Sequence, residues 1–222
     1  MTADIVVVDY GMGNVLSVRN ALAKIGAEAV LSDDPEVLEA ARGVILPGVG
    51  GFPECMGALE SAGLTGPLRR AIEGGVPYLG ICLGLQILFE ESEEFGSTPG
   101  LGILPGRVRR FPEGMTENGG ALPLKVPHMG WNQPEFLGES PILAGVPRGA
   151  HFYFVHSYYA EPSESARPWI AATCDFGVPF IASVHRENLF ATQFHPEKSG
   201  ALGLGILKKF VDICRSHKAA SA

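Results

Sequence analysis

Three short apolar runs constrain this chain more than anything else in it: "DIVVVDY" (4–10), "GVILPG" (43–48) and "VPYLGI" (76–81). Each is apolar almost without interruption, ends at polar or turn residues, and is followed by a stretch of helical character. A strand covered on both faces reads this way, and strands that alternate with helices predict a parallel sheet with right-handed crossovers. Asn14 is placed to cap the first helix, Val15, Val18, Leu22 and Ile25 fall on one of its faces, and Gly26 closes it. "AEAVL" (27–31) reads as a strand and "PEVLEA" (35–40) as a short helix with proline at its start. The segment 52–73 is helical with a break around Gly63 and Gly66, and "LGLQILFEES" (83–92) is expected to form the helix after the "VPYLGI" strand.

After residue 96 glycine and proline become frequent and the helical pattern fades. Short strands are expected at 107–111, 151–158, 168–174, 180–185 and 189–194, with "RENL" (186–189) as a hairpin connection. A last helix starts at Ser199 and carries Leu202, Ile206, Phe210 and Ile213 on one face, while "PEGMTENGGA" (112–121) reads as a surface loop with no assigned role. The expectation is an α/β fold. It has an open, largely parallel twisted sheet flanked by helices and a β-rich antiparallel C-terminal half, in a single domain over residues 1–222.

An apolar fraction of 46% against 18% charged residues supplies a sizeable core and argues against disorder. The net charge is −7 and the basic residues are scattered, with only short pairs such as Arg69-Arg70, so no basic stripe for nucleic acid is present. No apolar run reaches the roughly 18 residues of a membrane span, and no basic stretch precedes an apolar segment as in a signal peptide. Cys55, Cys82, Cys174 and Cys214 form no C-x-x-C pair, which argues against zinc, and a chain of this size does not need disulfides. The expected setting is the cytoplasm, with reduced thiols.

"GICLGLQ" (80–86) sets a cysteine between two glycines where an apolar strand gives way to a helical segment. Such a G-x-C-x-G arrangement suits a nucleophile elbow, a tight strand-to-helix turn whose crowding demands glycine two residues to either side. With 29 glycines in 222 residues, both flanking positions would be glycine by chance about 2% of the time per cysteine, before the strand context is counted. A thiol at a helix N-terminus is favoured as thiolate. The blander reading is a buried cysteine with chance glycine neighbours.

A cysteine nucleophile needs a base, and the base an orienting acid. His185-Arg-Glu187 and His195-Pro-Glu197 both offer the pair. On a hairpin over 180–194 the two histidines lie roughly 20 Å apart, so only one can face Cys82. Pro196 ends the strand and can turn Glu197 back toward the imidazole, a modest preference for His195. "LPGVGGF" (46–52) ends a strand with bare glycines that can present N–H groups, or is an ordinary turn. Gly11-Met12-Gly13 has leucine at position 16, where a dinucleotide loop needs its third glycine, so no cofactor is expected. His128, His151, His156 and His217 show no metal-ligand spacing and default to structural or surface roles.

Taken together, Gly80-Ile-Cys82-Leu-Gly84 with Gln86, Pro47-Gly48-Val49-Gly50 and His195-Pro-Glu197 resemble the triad, or class I, glutamine amidotransferases. "DYGMGN" (9–14), "PHMGWN" (127–132), "YFVHSY" (153–158) and "HPEKS" (195–199) narrow the likeness to the branch that serves imidazole glycerol phosphate synthases of histidine biosynthesis. The resemblance covers nearly the whole chain and selects His195 over His185. It implies Cys82 as the nucleophile, His195 as its base and Glu197 as the orienting acid. It implies backbone N–H groups of Val49, Gly50 and Leu83 as the oxyanion hole, and Gly48, Gln86, Ser157 and Tyr158 as the glutamine pocket. It also implies a partner, a (β/α)8 barrel cyclase that receives ammonia, with Asn14, Trp131 and Lys198 near the contact. Asn14 alternatively only caps a helix, Trp131 only fills core, and Lys198 is only a solvated charge. A glutaminase serving another synthetase and a non-catalytic binding module on the same fold are the competing readings.

Overall fold

The computed structural model describes residues 5–116, 120 and 122–217. Its elements are β1 (Val6–Val8), α1 (Val15–Lys24), β2 (Val30–Ser32), α2 (Pro35–Glu39), β3 (Val44–Gly48), α3 (Phe52–Ser61), α4 (Thr65–Glu73), β4 (Tyr78–Cys82), α5 (Leu83–Gln86) and β5 (Phe89–Ser92). They continue with β6 (Thr98–Pro99), β7 (Leu104–Arg110), β8 (His128–Asn132), β9 (Glu135–Phe136), β10 (Phe152–His156), β11 (Tyr158–Pro162), β12 (Ile170–Asp175), β13 (Pro179–Arg186), β14 (Leu189–Thr192) and α6 (Gly200–Ser216). No helix among the described residues is long and apolar enough to cross a membrane.

The main sheet has the order β2-β1-β3-β4-β14-β13-β12-β9. β1, β3 and β4 are buried at every residue, which is why their sequences run apolar without alternation. Their side chains alternate between two cores. Val7, Ile45, Leu79 and Ile81 pack with Val18 and Leu22 of α1 and Ile206 and Phe210 of α6. Val6, Val8, Leu46 and Tyr78 pack with Phe52 and Leu59 of α3 and Leu68 and Ile72 of α4. Each fully buried leucine, isoleucine or phenylalanine in these layers contributes about 1.5–3 kcal/mol. β14 joins β4 in parallel, so the C-terminal half completes the same sheet before it turns antiparallel at β13. A four-stranded sheet, β11-β7-β5-β6, and a two-stranded ribbon, β10-β8, stand beside it.

The expected elements form, with corrections: the strand expected over 151–158 divides at Ser157 into β10 and β11, which belong to different sheets. The helix expected over 83–92 is only the four residues of α5; Phe89–Ser92 instead form β5, which pairs with β7. Burial of Phe89 and Ser92 around exposed Glu90 and Glu91 keeps the i, i+3 spacing of a helix face, so the pairing with β7, irregular between Phe89 and Glu91, is what makes this segment a strand. The 52–73 break falls at Gly63 alone, since Gly66 lies inside α4. On α6 the buried face is Ile206, Leu207, Phe210 and Val211, with Leu202 and Ile213 at its margin. β13 and β14 form the expected hairpin, with Arg186 opposite Leu189. The 112–121 loop lies partly outside the described residues; Thr116 bridges to Pro123.

The turn that matters most joins β4 to α5. Cys82 sits there at φ 56°, ψ −105°, a backbone region that costs a non-glycine residue on the order of 1–3 kcal/mol. The chain folds so sharply that a Cβ on Gly80 would stand 2.2 Å from the Gly84 carbonyl oxygen, and a Cβ on Gly84 would stand 2.0 Å from that of Leu46. Both obstacles are backbone, so neither can swing away. Gly84→Ala is expected to lower stability by on the order of 3 kcal/mol in chemical unfolding. Gly57→Ala, on an exposed helical position with open space, should leave it unchanged or raise it by about 0.5–1 kcal/mol. Equal effects at both positions would contradict the packing argument.

Candidate active site

The carboxyl ends of β3, β4 and β14 converge at one edge, and there the structure brings Cys82 and His195 together. Cys82 is 5% exposed. His195 follows β14 and is fastened by its backbone: its N–H donates to the Tyr153 carbonyl (2.9 Å), and the Ser199 hydroxyl donates to its own carbonyl (2.7 Å). The Ser199 oxygen in turn accepts from the Tyr153 N–H, 3.0 Å. Glu197 lies on the short 3-10 turn started by Pro196, and its Oε1 accepts from His195 Nδ1 at 2.8 Å, with both side chains buried. This leaves Nε2 of His195 without a hydrogen-bond partner, on the side toward the sulfur.

Burial works against a charged imidazole here, but the Cys82 sulfur and the Glu197 carboxylate outweigh it, and His195 is pushed up to about 10. His195 is therefore electrostatically suited to hold a proton between the Glu197 carboxylate and the sulfur. α5, four residues long, has little dipole to lend, so histidine rather than the helix supplies the positive charge.

A cleft of about 410 Å³ opens over the sulfur, lined among others by Val49, Gly50, Leu83, Gln86, Glu94, Ser157 and Tyr158. Leu83 begins α5, so its N–H has no partner within the helix. Gly50 has φ +103°, a conformation glycine adopts freely. Gly48 is not among the lining residues. It is buried opposite Cys82 in the β3–β4 register, where a Cβ would stand 2.5 Å from that of Leu83, so close packing accounts for it. Asn14 caps α1, its Oδ1 accepting from the Ser17 N–H at 3.2 Å. Trp131 does not fill core: it is 56% exposed, edge-on to Tyr153, and the exposed Lys198 ammonium lies 5.6 Å from the same tyrosine ring. His185 lies at the hairpin turn, facing the carbonyls of Glu139 and Glu187, far from this assembly.

Two residues escaped sequence reasoning. Gln193 is fully buried; its Nε2 donates to the Cys82 sulfur at 3.5 Å and its Oε1 accepts from Gln86 Nε2 at 3.0 Å. Its only signal is its place two residues before His195, on the same side of an extended segment. Glu94 lies inside the acidic run "EESEEF", which looks like solvated surface. Its Oε2 accepts from the Phe52 N–H at 2.6 Å, and burial raises its carboxyl above the usual range.

His156 on the cleft wall and His128 behind it are held neutral by burial, lowered to about 3 and about 4. Their folded values lie below the ordinary 6.5, so the unfolded chain takes up these protons first. Stability is thus full above pH 6.5 and falls as pH drops toward 4, by up to about 1.4 kcal/mol per pH unit for each imidazole. His128→Phe, which suits the surrounding stack of Phe154 and Phe176, should show a shallower acid-side loss in unfolding titrations. An unchanged slope would contradict the assignment.

The sequence matches the Glutamine amidotransferase class-I family over residues 6–213. It is 53% identical over 209 residues to the imidazole glycerol phosphate synthase subunit HisH of Syntrophotalea carbinolica, covering 94% of this chain and 100% of that one. It is 54% identical over 207 residues to the HisH subunit of Geobacillus kaustophilus, covering 93% and 95%. Among solved structures, a glutamine amidotransferase superposes with a TM-score of 0.69 at 21% identity over 95% of this chain and 98% of that one. PurLQS from Thermotoga maritima gives 0.68 at 19% identity over 96% and 99%. The fold is thus shared with amidotransferases of divergent sequence, and the chain belongs to the class I glutamine amidotransferases, within the HisH subunits of imidazole glycerol phosphate synthase.

Proposed function

We propose that Cys82, His195 and Glu197 carry out the glutamine hydrolysis of this family, and that the ammonia passes to a separate cyclase subunit. The observation that carries this reading is the strained Cys82 turn beside a buried His195–Glu197 pair whose Nε2 is free toward the sulfur. The thiolate attacks the side-chain amide carbon of glutamine, and the oxyanion forms against the N–H groups of Leu83 and of the Val49–Gly50 loop. The His195 imidazolium gives its Nε2 proton to the leaving nitrogen, so ammonia departs and a thioester remains. Neutral His195 then takes a proton from water, whose oxygen attacks the thioester. Glutamate leaves and the sulfur is restored. Glu197 holds the ring orientation and stabilises the imidazolium throughout.

Gln86, Ser157 and Tyr158 form the wall for the amino-acid end of the substrate, and the Glu94 carboxylate at the same cleft suits its ammonium group. The partner reading rests on the HisH relatives, which are named as subunits of a synthase. A separate cyclase polypeptide is the reading that these names support, since relatives matched over 95% or more of their own length are themselves called subunits. Exposed Met129 and Trp131, with Tyr153 and Lys198 beside the triad, form an apolar and cationic face suited to it, and Asn14 lies at the same end of the sheet. The setting proposed is the cytoplasm.

Isolated wild type should show weak glutaminase activity, raised by at least about a hundredfold on adding the cyclase subunit with its nucleotide substrate. Cys82→Ala should be inactive in both states. Full activity of the isolated chain with no response to the cyclase would refute the coupled reading.

A further inference from the structure

His128 on β8 lies directly opposite His156 on β10 in the two-stranded ribbon. Both are buried, in a box of stacked rings that includes Phe111, Phe154, Phe176 and Phe180. The opposite face of the ribbon carries exposed Met129 and Trp131.

The hydrogen bonds of the two rings have a fixed direction. Asn132 accepts the Gln133 N–H through Oδ1 (2.8 Å) and donates one Nδ2 hydrogen to the Asp175 carbonyl (2.9 Å). Its amide orientation is set by these two contacts, and the second Nδ2 hydrogen meets His128 Nε2 at 3.2 Å. His128 Nε2 therefore accepts, and Nδ1 carries the proton, which is donated to His156 Nε2 at 3.0 Å. His156 Nδ1 then donates to the Tyr158 carbonyl at 2.8 Å. A carbonyl can only accept, so the far end independently demands the same tautomers. The Tyr158 carbonyl also accepts from Gln86 Nε2 (2.9 Å), Gln86 donates to Gln193, and Gln193 donates to the Cys82 sulfur. An unbroken chain of hydrogen bonds thus runs from the strand bearing Trp131 to the sulfur.

We infer that His128 and His156 are positioning residues: they hold the Tyr158 carbonyl, and through it Gln86 and Gln193, in register under the glutamine cleft. This rests on the glutaminase reading above. Only a neutral imidazole can stack inside an aromatic box and still pass a hydrogen bond from one edge to the other. An apolar ring at 156 would leave the Tyr158 carbonyl with one donor fewer and Gln86 free to shift.

Two measurements on the full chain test this. Long-range proton–nitrogen NMR correlation on protein labelled with 15N-histidine should find both rings neutral at pH 7, with Nδ1 protonated and Nε2 bare. Either ring as the Nε2–H tautomer, or charged, would overturn the chain. In the complex with the cyclase, His156→Leu should raise KM for glutamine about tenfold while kcat stays within about threefold. His156→Asn, which returns a donor near the Nδ1 position, should recover most of that loss. Asn132→Asp, remote from substrate, reverses the outer donor and should also raise KM and shift the His128 tautomer. Variants that lose thermal stability with KM unchanged, or no rescue by asparagine, would overturn the positioning role. An inactive wild type would instead refute the glutaminase reading and the role built on it, while the spectrum still reports on the chain itself.

Discussion

Everything at the active edge of this protein depends on how closely two backbones approach each other beneath Cys82. β3 and β4 run in parallel register to their last residues, Gly48 opposite Cys82, and α5 then folds back over the Leu46 carbonyl. No side chain fits in that space, and the cost of the positive φ at Cys82 is met by the buried strands that clamp the turn from both sides. The sulfur is held at a fixed point because the backbone beneath it has nowhere else to go.

Two hydrogen-bonded assemblies reach that point from different parts of the chain. One is His195 with Glu197, tied to β10 through Tyr153 and Ser199. The other is Gln193 with Gln86, tied to β10 and β11 through the Tyr158 carbonyl and His156. Both rely on the same ribbon, whose outer face exposes Met129 and Trp131. A displacement of the ribbon therefore reaches His195 and Gln86 together, so a subunit docked on this face, as proposed above, would move both.

The sequence made the parallel strands and the cysteine turn legible because both rest on local rules: unbroken apolar runs, and glycine two residues to either side of a crowded bend. "LGLQILFEES" carries enough apolar residues to read as a helix, whereas Phe89–Ser92 pair with β7, a partner outside the segment itself, Phe89 with Leu104 and Ser92 with Val108. Gln193, Glu94 and the His128–His156 pair stayed hidden for the same reason. His128 and His156 meet only across a ribbon whose pairing no local pattern announces, and their spacing suggested nothing but core. Trp131, a residue type that usually fills core, stands in solvent because the face it belongs to is left open. Spacing alone left His185 and His195 undecided; the fold separates them by placing one at a hairpin turn and the other beside the sulfur.

The central claim is that one thiol among four is a nucleophile for glutamine. Cys55 and Cys174 are buried thiols, each pushed up by burial to about 12, and Cys214 is buried as well. Treating the folded protein with a chloroketone analogue of glutamine and mapping the adduct by mass spectrometry tests the claim most directly. The account predicts a single adduct on Cys82, slowed by excess glutamine and absent from Cys82→Ala. An adduct on another cysteine of the folded chain, or one that persists in Cys82→Ala, would contradict it.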